Sequence, residues 1–294
     1  MFGLFKNMSH IVGPFYYWKT VLNTFGSQAL ASETAPTAVT LSAELRRAML
    51  KLKGQHMVDD GARVDYDALE QSEGFREYKL TAERLAGIDL AVMAEDERKA
   101  FFINVYNALV IHALVYGFVR KSYLGYMLSR KLLYSTAAYN IGGQVYSLDD
   151  IEHGVLRGNA QTSSGPTFAA GDPRLSCVIP KDPRIHFALN CGAVSCPPIS
   201  AYKPDSLDRD LTRASKNYIQ STAFSDEGGE TNIILSRLFL WYRSDFGSTD
   251  EDVLTWIRQH APDEVAARLK AALSADQPAY RITYQEYVWT VNAV

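Results

Sequence analysis

The chain has 294 residues, 47% of them hydrophobic, with 30 basic and 33 acidic side chains and a net charge of −3. That apolar fraction excludes bulk disorder. The charge balance gives no strongly basic face, so no nucleic-acid partner is expected. No uninterrupted run of 18 uncharged apolar residues occurs, so no integral membrane span is expected.

Residues 1–32 carry Lys6 and Lys19 and no acid. They hold an aromatic cluster at Phe15-Tyr16-Tyr17-Trp18 and end on small residues at Ala29-Leu30-Ala31-Ser32. A targeting or secretion segment is one reading. Lys19 and Pro14 interrupt the apolar stretch, which favours an N-terminal arm and a cytoplasmic location. Residues 33–40, with Pro36, read as a linker. The division is thus an arm with its linker over 1–40 and one domain over 41–294.

Leu41 to Leu52 has helical spacing, with Leu45, Met49 and Leu52 on one stripe. Asp59-Asp60-Gly61 predicts a turn, and Arg63 to Tyr66 a short extended piece. Asp67 to Ala86 reads as one weakly amphipathic helix. Asp96 to Phe118 is the strongest helix, with acids at its start and Gly117 at its end. Tyr139 to Tyr146 reads as a hairpin turning at Gly142-Gly143. Ser147-Leu148-Asp149-Asp150 resembles a capping box and starts a short helix to Arg157. Residues 158–183 predict a long loop, a length that is often functional. Ile185 to Leu189 reads as a strand. Asp205–Ser221, Asp250–His260 and Pro262–Leu273 read as helices, and Ile282–Val291 as extended. The fold class is α+β: a mainly helical single domain with a few short antiparallel strands.

Candidate functional residues are polar groups where the pattern reserves space for core. Asn104 and Asn107 share a face of the strongest helix. A buried amide must find hydrogen bonds, from loop backbone or from a ligand. Glu152 falls beside the apolar stripe of Leu148, Ile151 and Val155, which suits an ion pair or acid–base chemistry. In a strand, Arg184, His186, Ala188 and Asn190 would share a polar face. Asn190-Cys191-Gly192-Ala193-Val194-Ser195-Cys196-Pro197 places two of only three cysteines five positions apart. Three cysteines do not make a disulfide scaffold. Cys191 and Cys196 can be core thiols, a local disulfide or a reactive pair. If the strand continues through Cys191, its thiol points away from His186.

Together these segments resemble the DUF547 domain family. The resemblance rests on Phe101-Phe102-Ile103-Asn104-Val105-Tyr106-Asn107, Ser147-Leu148-Asp149-Asp150-Ile151-Glu152-His153, and Arg184 through Pro198. Asp60-Gly61-Ala62-Arg63-Val64-Asp65-Tyr66, Leu240-Trp241-Tyr242-Arg243-Ser244-Asp245-Phe246 and Tyr287-Val288-Trp289-Thr290-Val291-Asn292 fit as well. It spans about residues 41 to 294. The branch joined to glutaredoxin and DEP domains is the more similar one. Val288 stands where the family usually has Asp, and His153 where that branch often has Asn.

The functional expectation is a thiol-dependent hydrolase or transferase. Cys191, Cys196, His186 and Glu152 are its catalytic candidates, and Asn104, Asn107, Arg184 and Asn190 its substrate-binding candidates. Its partners would be a small-molecule or peptide substrate and a thiol partner such as glutaredoxin. No cofactor is implied. One alternative is a non-enzymatic binding or scaffold domain. Another is a metal site built from His186 and the C-x4-C segment, although that spacing is not a usual zinc pair.

Overall fold

From Ala100 to Val119 the chain carries no charged side chain; Asn104, Asn107 and His112 are its strongly polar residues. A computed structural model describes residues 19–24, 37–119, 126–162, 165–227, 230–273 and 280–294. In it Ala100 to Tyr116 of this run lies within a helix over Glu95–Tyr116. Glu95, Asp96 and Glu97 occupy the first turn, and the Glu97 carboxylate accepts the Ala94 N–H at 2.9 Å. Gly117, at φ 112°, ends the helix in the left-handed region. The helix is long and apolar enough to cross a bilayer by composition, yet 89% of its apolar window is buried within the fold. Every residue from Ala100 to Val115 is buried, so its surroundings are protein on all sides.

The main core forms around this helix. Helix Ala38–His56 presents Leu41, Leu45, Met49 and Leu52 to it, the predicted stripe plus one turn. The predicted helix over Asp67–Ala86 is instead two helices, Tyr66–Gln71 and Glu73–Glu83, followed by a 3-10 turn over Arg84–Gly87. Ser72 makes the break: its N–H returns to Leu69, and its hydroxyl accepts the Phe75 N–H at 3.1 Å. That is a new N-cap inside the predicted run.

The predicted hairpin forms between Ala137–Ile141 and Gln144–Ser147, with positive φ at Gly142 and Gly143. Thr20–Val21 adds a parallel strand to it. A second sheet joins Ala223–Glu227 antiparallel to Glu230–Leu235, which pairs parallel with Tyr280–Tyr284. The fold is α+β and mainly helical, with parallel as well as antiparallel pairs. The strands of 223–235 lie where the sequence pattern predicts none. They pack with helices Leu207–Ile219, Asp250–His260 and Asp263–Leu273 around a second hydrophobic cluster that includes Phe187 and Cys196. The N-terminal arm expectation rests mainly on residues 1–18 and 25–36, outside the described residues. Lys19 is described and forms an ion pair with Asp150.

His112 sits in the main core, with Nδ1 2.9 Å from the Tyr139 hydroxyl, which also meets that of Tyr78. Burial, assisted by Lys79, pushes its pKa down to about 3. Below pH 6.5 the unfolded chain binds the proton that the folded ring refuses. The His112 contribution is therefore complete above pH 6.5 and is lost as pH falls toward 3. Thermal melts should show Tm falling across that window. His112→Gln should lower Tm at pH 8 and flatten the acid slope; an unchanged slope would contradict this account.

Candidate functional site

The site begins at a wide helical turn. Ser147 and Asp150 close on one another as the sequence predicts. The Ser147 N–H donates to Asp150 Oδ2 at 2.7 Å, and the Asp150 N–H to Ser147 Oγ at 3.3 Å. The backbone then opens into a π-helical turn over Asp150–Leu156, with Arg157 N–H donating to Glu152 O five residues back. Such turns are rare and recur at functional sites. Gly154 lies on this turn against the ring of Phe168, so close that a Cβ would come within 2.2 Å of it. Asn159 fixes that ring by bonding both backbone groups of Phe168, so the long loop plugs the underside of the turn.

The turn carries Glu152 inward, and its side chain is only 10% exposed. The Tyr106 hydroxyl donates to Oε2 at 3.0 Å. Oε1 is enclosed and has no hydrogen-bond partner among the described residues. Burial alone would raise the Glu152 pKa. His153, His186, the Tyr242 hydroxyl and Arg157 outweigh it and hold the carboxyl below its usual range. Glu152 is therefore charged at neutral pH.

Pro183–Phe187 is a 3-10 turn, which corrects the strand predicted over Ile185–Leu189. Asp182 caps it by accepting the Arg184 N–H at 3.1 Å, and Pro183 at its first position supplies a helical φ without needing a donor partner. The shared polar face inferred from alternation is lost with the strand. Ile185, Ala188 and Leu189 enter the main core, while Phe187 enters the second cluster. His186 stacks on Tyr242 with ring centroids 3.9 Å apart. Its Nε2 is 2.8 Å from Asp245 Oδ2. Arg157 binds the same carboxylate through Nε at 2.6 Å and Nη2 at 3.1 Å, and reaches His153 Nδ1 at 2.8 Å. Burial would raise Asp245, but His186 and Arg157 hold it far below the usual carboxylate range. Burial lowers His186 more than Asp245 raises it, so the ring is neutral at pH 7.

Cys191 and Cys196 form a disulfide with Cα atoms 6.1 Å apart. Of the states open from sequence, this is the one present. The Tyr287 hydroxyl lies 3.3 Å from Cys191 Sγ and 3.2 Å from Cys196 Sγ. Buried Arg130 donates to the carbonyls of Cys191, Gly192 and Trp289. Gly192 takes φ 75°, and a Cβ there would come within 2.5 Å of Leu114. Cys177 is a buried free thiol.

These groups meet at a pocket of about 110 Å³. Glu152, His153, His186, Cys191 and Cys196 line it with the aromatic rings of Trp241, Tyr242, Tyr287 and Trp289. A larger cavity of about 590 Å³, lined by Ser195, Arg213, Tyr218 and Arg237, shares Tyr287 with it. All four catalytic candidates therefore line one pocket. The four substrate-binding candidates do not. Asn104 bonds both backbone groups of Tyr202 at 2.8 Å. Asn107 bonds Ala188 O at 2.9 Å and the Asn190 N–H at 2.8 Å. Asn190 bridges Pro197 O and the Gly192 N–H, and Arg184 pairs with Asp182 and Asp208. Among the described residues no three His, Cys, Asp or Glu side chains are grouped to hold a metal ion. The disulfide removes both sulfurs as thiolate ligands.

Residues 90–219 match the DUF547 family model. Its description is "Protein of unknown function, DUF547". No curated protein and no solved structure matches the chain. The DUF547 match contains Glu152, His186 and both sulfurs, but stops before Trp241, Tyr242, Asp245, Tyr287 and Trp289. Those five were not among the site candidates. Their signal in the sequence is the two aromatic segments around Tyr242 and Tyr287.

Asn107→Ala would leave the Ala188 carbonyl and the Asn190 N–H unpaired, costing about 2–4 kcal/mol. Calorimetry should show a Tm loss of several degrees, and a Tm equal to the parent's would count against the clamp. Gly154→Ala should also lower Tm, by about 1–3 kcal/mol of overpacking against Phe168. Phe168→Leu in the same chain should recover part of that loss.

Proposed function

We propose that the pocket performs thiol–disulfide exchange through the Cys191–Cys196 pair, the transferase form of the thiol chemistry expected from sequence. The observation that carries this reading is one pocket wall holding a disulfide, a neutral His186 bound to Asp245, and a buried carboxylate. Neither sulfur of a disulfide is a free nucleophile, so the chemistry open to this state is attack by an incoming thiolate.

His186 donates Nε2–H to Asp245, which leaves Nδ1 as the ring acceptor for the proton of an incoming thiol. The thiolate attacks Cys191 Sγ, the less buried sulfur, and forms a mixed disulfide. The Cys191–Cys196 bond breaks, and Cys196 Sγ leaves with its electron pair as a thiolate. The Tyr287 hydroxyl, 3.2 Å away, can donate a hydrogen bond to it. A second thiol gives its proton to the Cys196 thiolate and attacks the external sulfur of the mixed disulfide; Cys191 Sγ leaves and takes the proton held by His186, which releases an external disulfide and the reduced pair. Two thiols are oxidised and one disulfide is reduced. Hydrolysis or acyl transfer by the reduced pair is the competing outcome.

Mass spectrometry after alkylation tests this in thiol–disulfide buffers of varied ratio. The native pair should titrate with the ratio while buried Cys177 stays unmodified. Cys196→Ser should accumulate a mixed disulfide at Cys191, and Cys191→Ser should abolish exchange. His186→Gln should slow exchange by about 10²-fold at neutral pH while the chain remains folded. A native disulfide that no thiol reduces, or exchange that survives Cys191→Ser, would overturn the reading.

A further inference from the structure

The pocket beside the disulfide has an unusual lining. Its carboxylates are Asp149 and Glu152, and no Lys or Arg side chain lines it. Arg157 is bound to Asp245 and His153. Arg130 faces backbone carbonyls and the ring of Trp289. His186 is neutral. Much of the remaining wall is aromatic: Trp241, Trp289 and Tyr287 pack with ring centroids 4.6 to 5.2 Å apart, and Tyr242 adds a further ring. Within this wall Glu152 Oε1 has no hydrogen-bond partner among the described residues; His153 Nδ1, itself bonded by Arg157, lies 3.8 Å from it.

An unpaired buried carboxylate oxygen is costly, and a ligand that supplies a donor relieves the cost. An anion would be repelled by two carboxylates. A purely apolar ligand would leave Oε1 unpaired. A primary ammonium supplies three donors and a positive charge, and aromatic faces attract that charge. We infer that the pocket binds a small primary ammonium group against Glu152, so that the thiols it exchanges are short aminothiols. The ammonium site stands on the pocket itself; its coupling to a thiol rests on the exchange reading above. An aminothiol would set its ammonium at Glu152 and its sulfur toward Cys191, the partly exposed member of the pair.

Binding and exchange can be separated on the full, oxidised chain. The first probe is 2-(methylthio)ethylamine, which has the ammonium and no thiol, compared with 2-(methylthio)ethanol, which has neither. Trp241 and Trp289 in the wall report occupancy through tryptophan fluorescence. The amine should bind saturably and at least about tenfold more tightly than the alcohol. Glu152→Gln should abolish that preference. Equal binding of the two, no binding of either, or an amine preference that survives Glu152→Gln would overturn the inference. Where Glu152→Gln does not fold, the amine and alcohol comparison in the unaltered chain decides alone. The second probe is the rate at which 2-aminoethanethiol and 2-mercaptoethanol reduce the pair, each normalised to its rate with a free model disulfide. A normalised preference for the aminothiol is expected. Amine binding without reduction by any thiol would overturn the exchange reading and leave the ammonium site standing. Reduction by both thiols at equal normalised rates would leave exchange standing and overturn the aminothiol assignment.

Discussion

A helix enclosed on every side has no solvent to satisfy its polar groups, so each must be matched from within the protein. Asn104 and Asn107 meet this constraint by bonding the backbone at Tyr202 and at Ala188 and Asn190. The segment between those two fastenings contains Cys191 and Cys196. Tyr106, from the intervening turn of the same helix, holds Glu152. One rigid element thus sets the position of both the sulfurs and the carboxylate. The amides that look like ligand-binding groups in sequence are the fastenings of the loop that carries the disulfide.

The charges around the pocket divide by the same logic. Asp245 takes both His186 and Arg157 and is thereby fully paired. Glu152 receives the Tyr106 hydroxyl on Oε2 and the field of its neighbours, Tyr242 among them, enough to stay ionised, with no hydrogen-bond partner on Oε1 among the described residues. A buried carboxylate left in that state is destabilising by itself. Its placement on a turn of rare geometry argues for use rather than for stability.

Features set by local chemistry were legible in the sequence. The Leu45, Met49 and Leu52 stripe, the Gly142-Gly143 turn, the Ser147–Asp150 cap and the Gly117 stop each depend on residues a few positions apart. The strand expected over Ile185–Leu189 failed because alternation would put Ile185 and Phe187 on one face, whereas the Asp182-Pro183 cap starts a 3-10 turn that sends them to separate clusters. The helix expected over Asp67–Ala86 failed for a similar reason at Ser72. Glu152, His186 and the cysteine pair were legible as polar groups inside apolar sequence. Asp245 and Tyr287 were not, because they reach the site from 59 and 96 residues away, and no local pattern records those meetings.

Tyr287 touches both sulfurs and also lines the larger cavity. Its hydroxyl faces a disulfide in one redox state and would face two thiols in the other. An occupant of the larger cavity that favours one placement of this ring would favour one of those states. Linkage makes the effect reciprocal: the redox state would alter the affinity of the larger cavity by the same factor. A single aromatic side chain shared by two cavities makes an electron count and a binding equilibrium functions of one another wherever its placement differs between the two redox states.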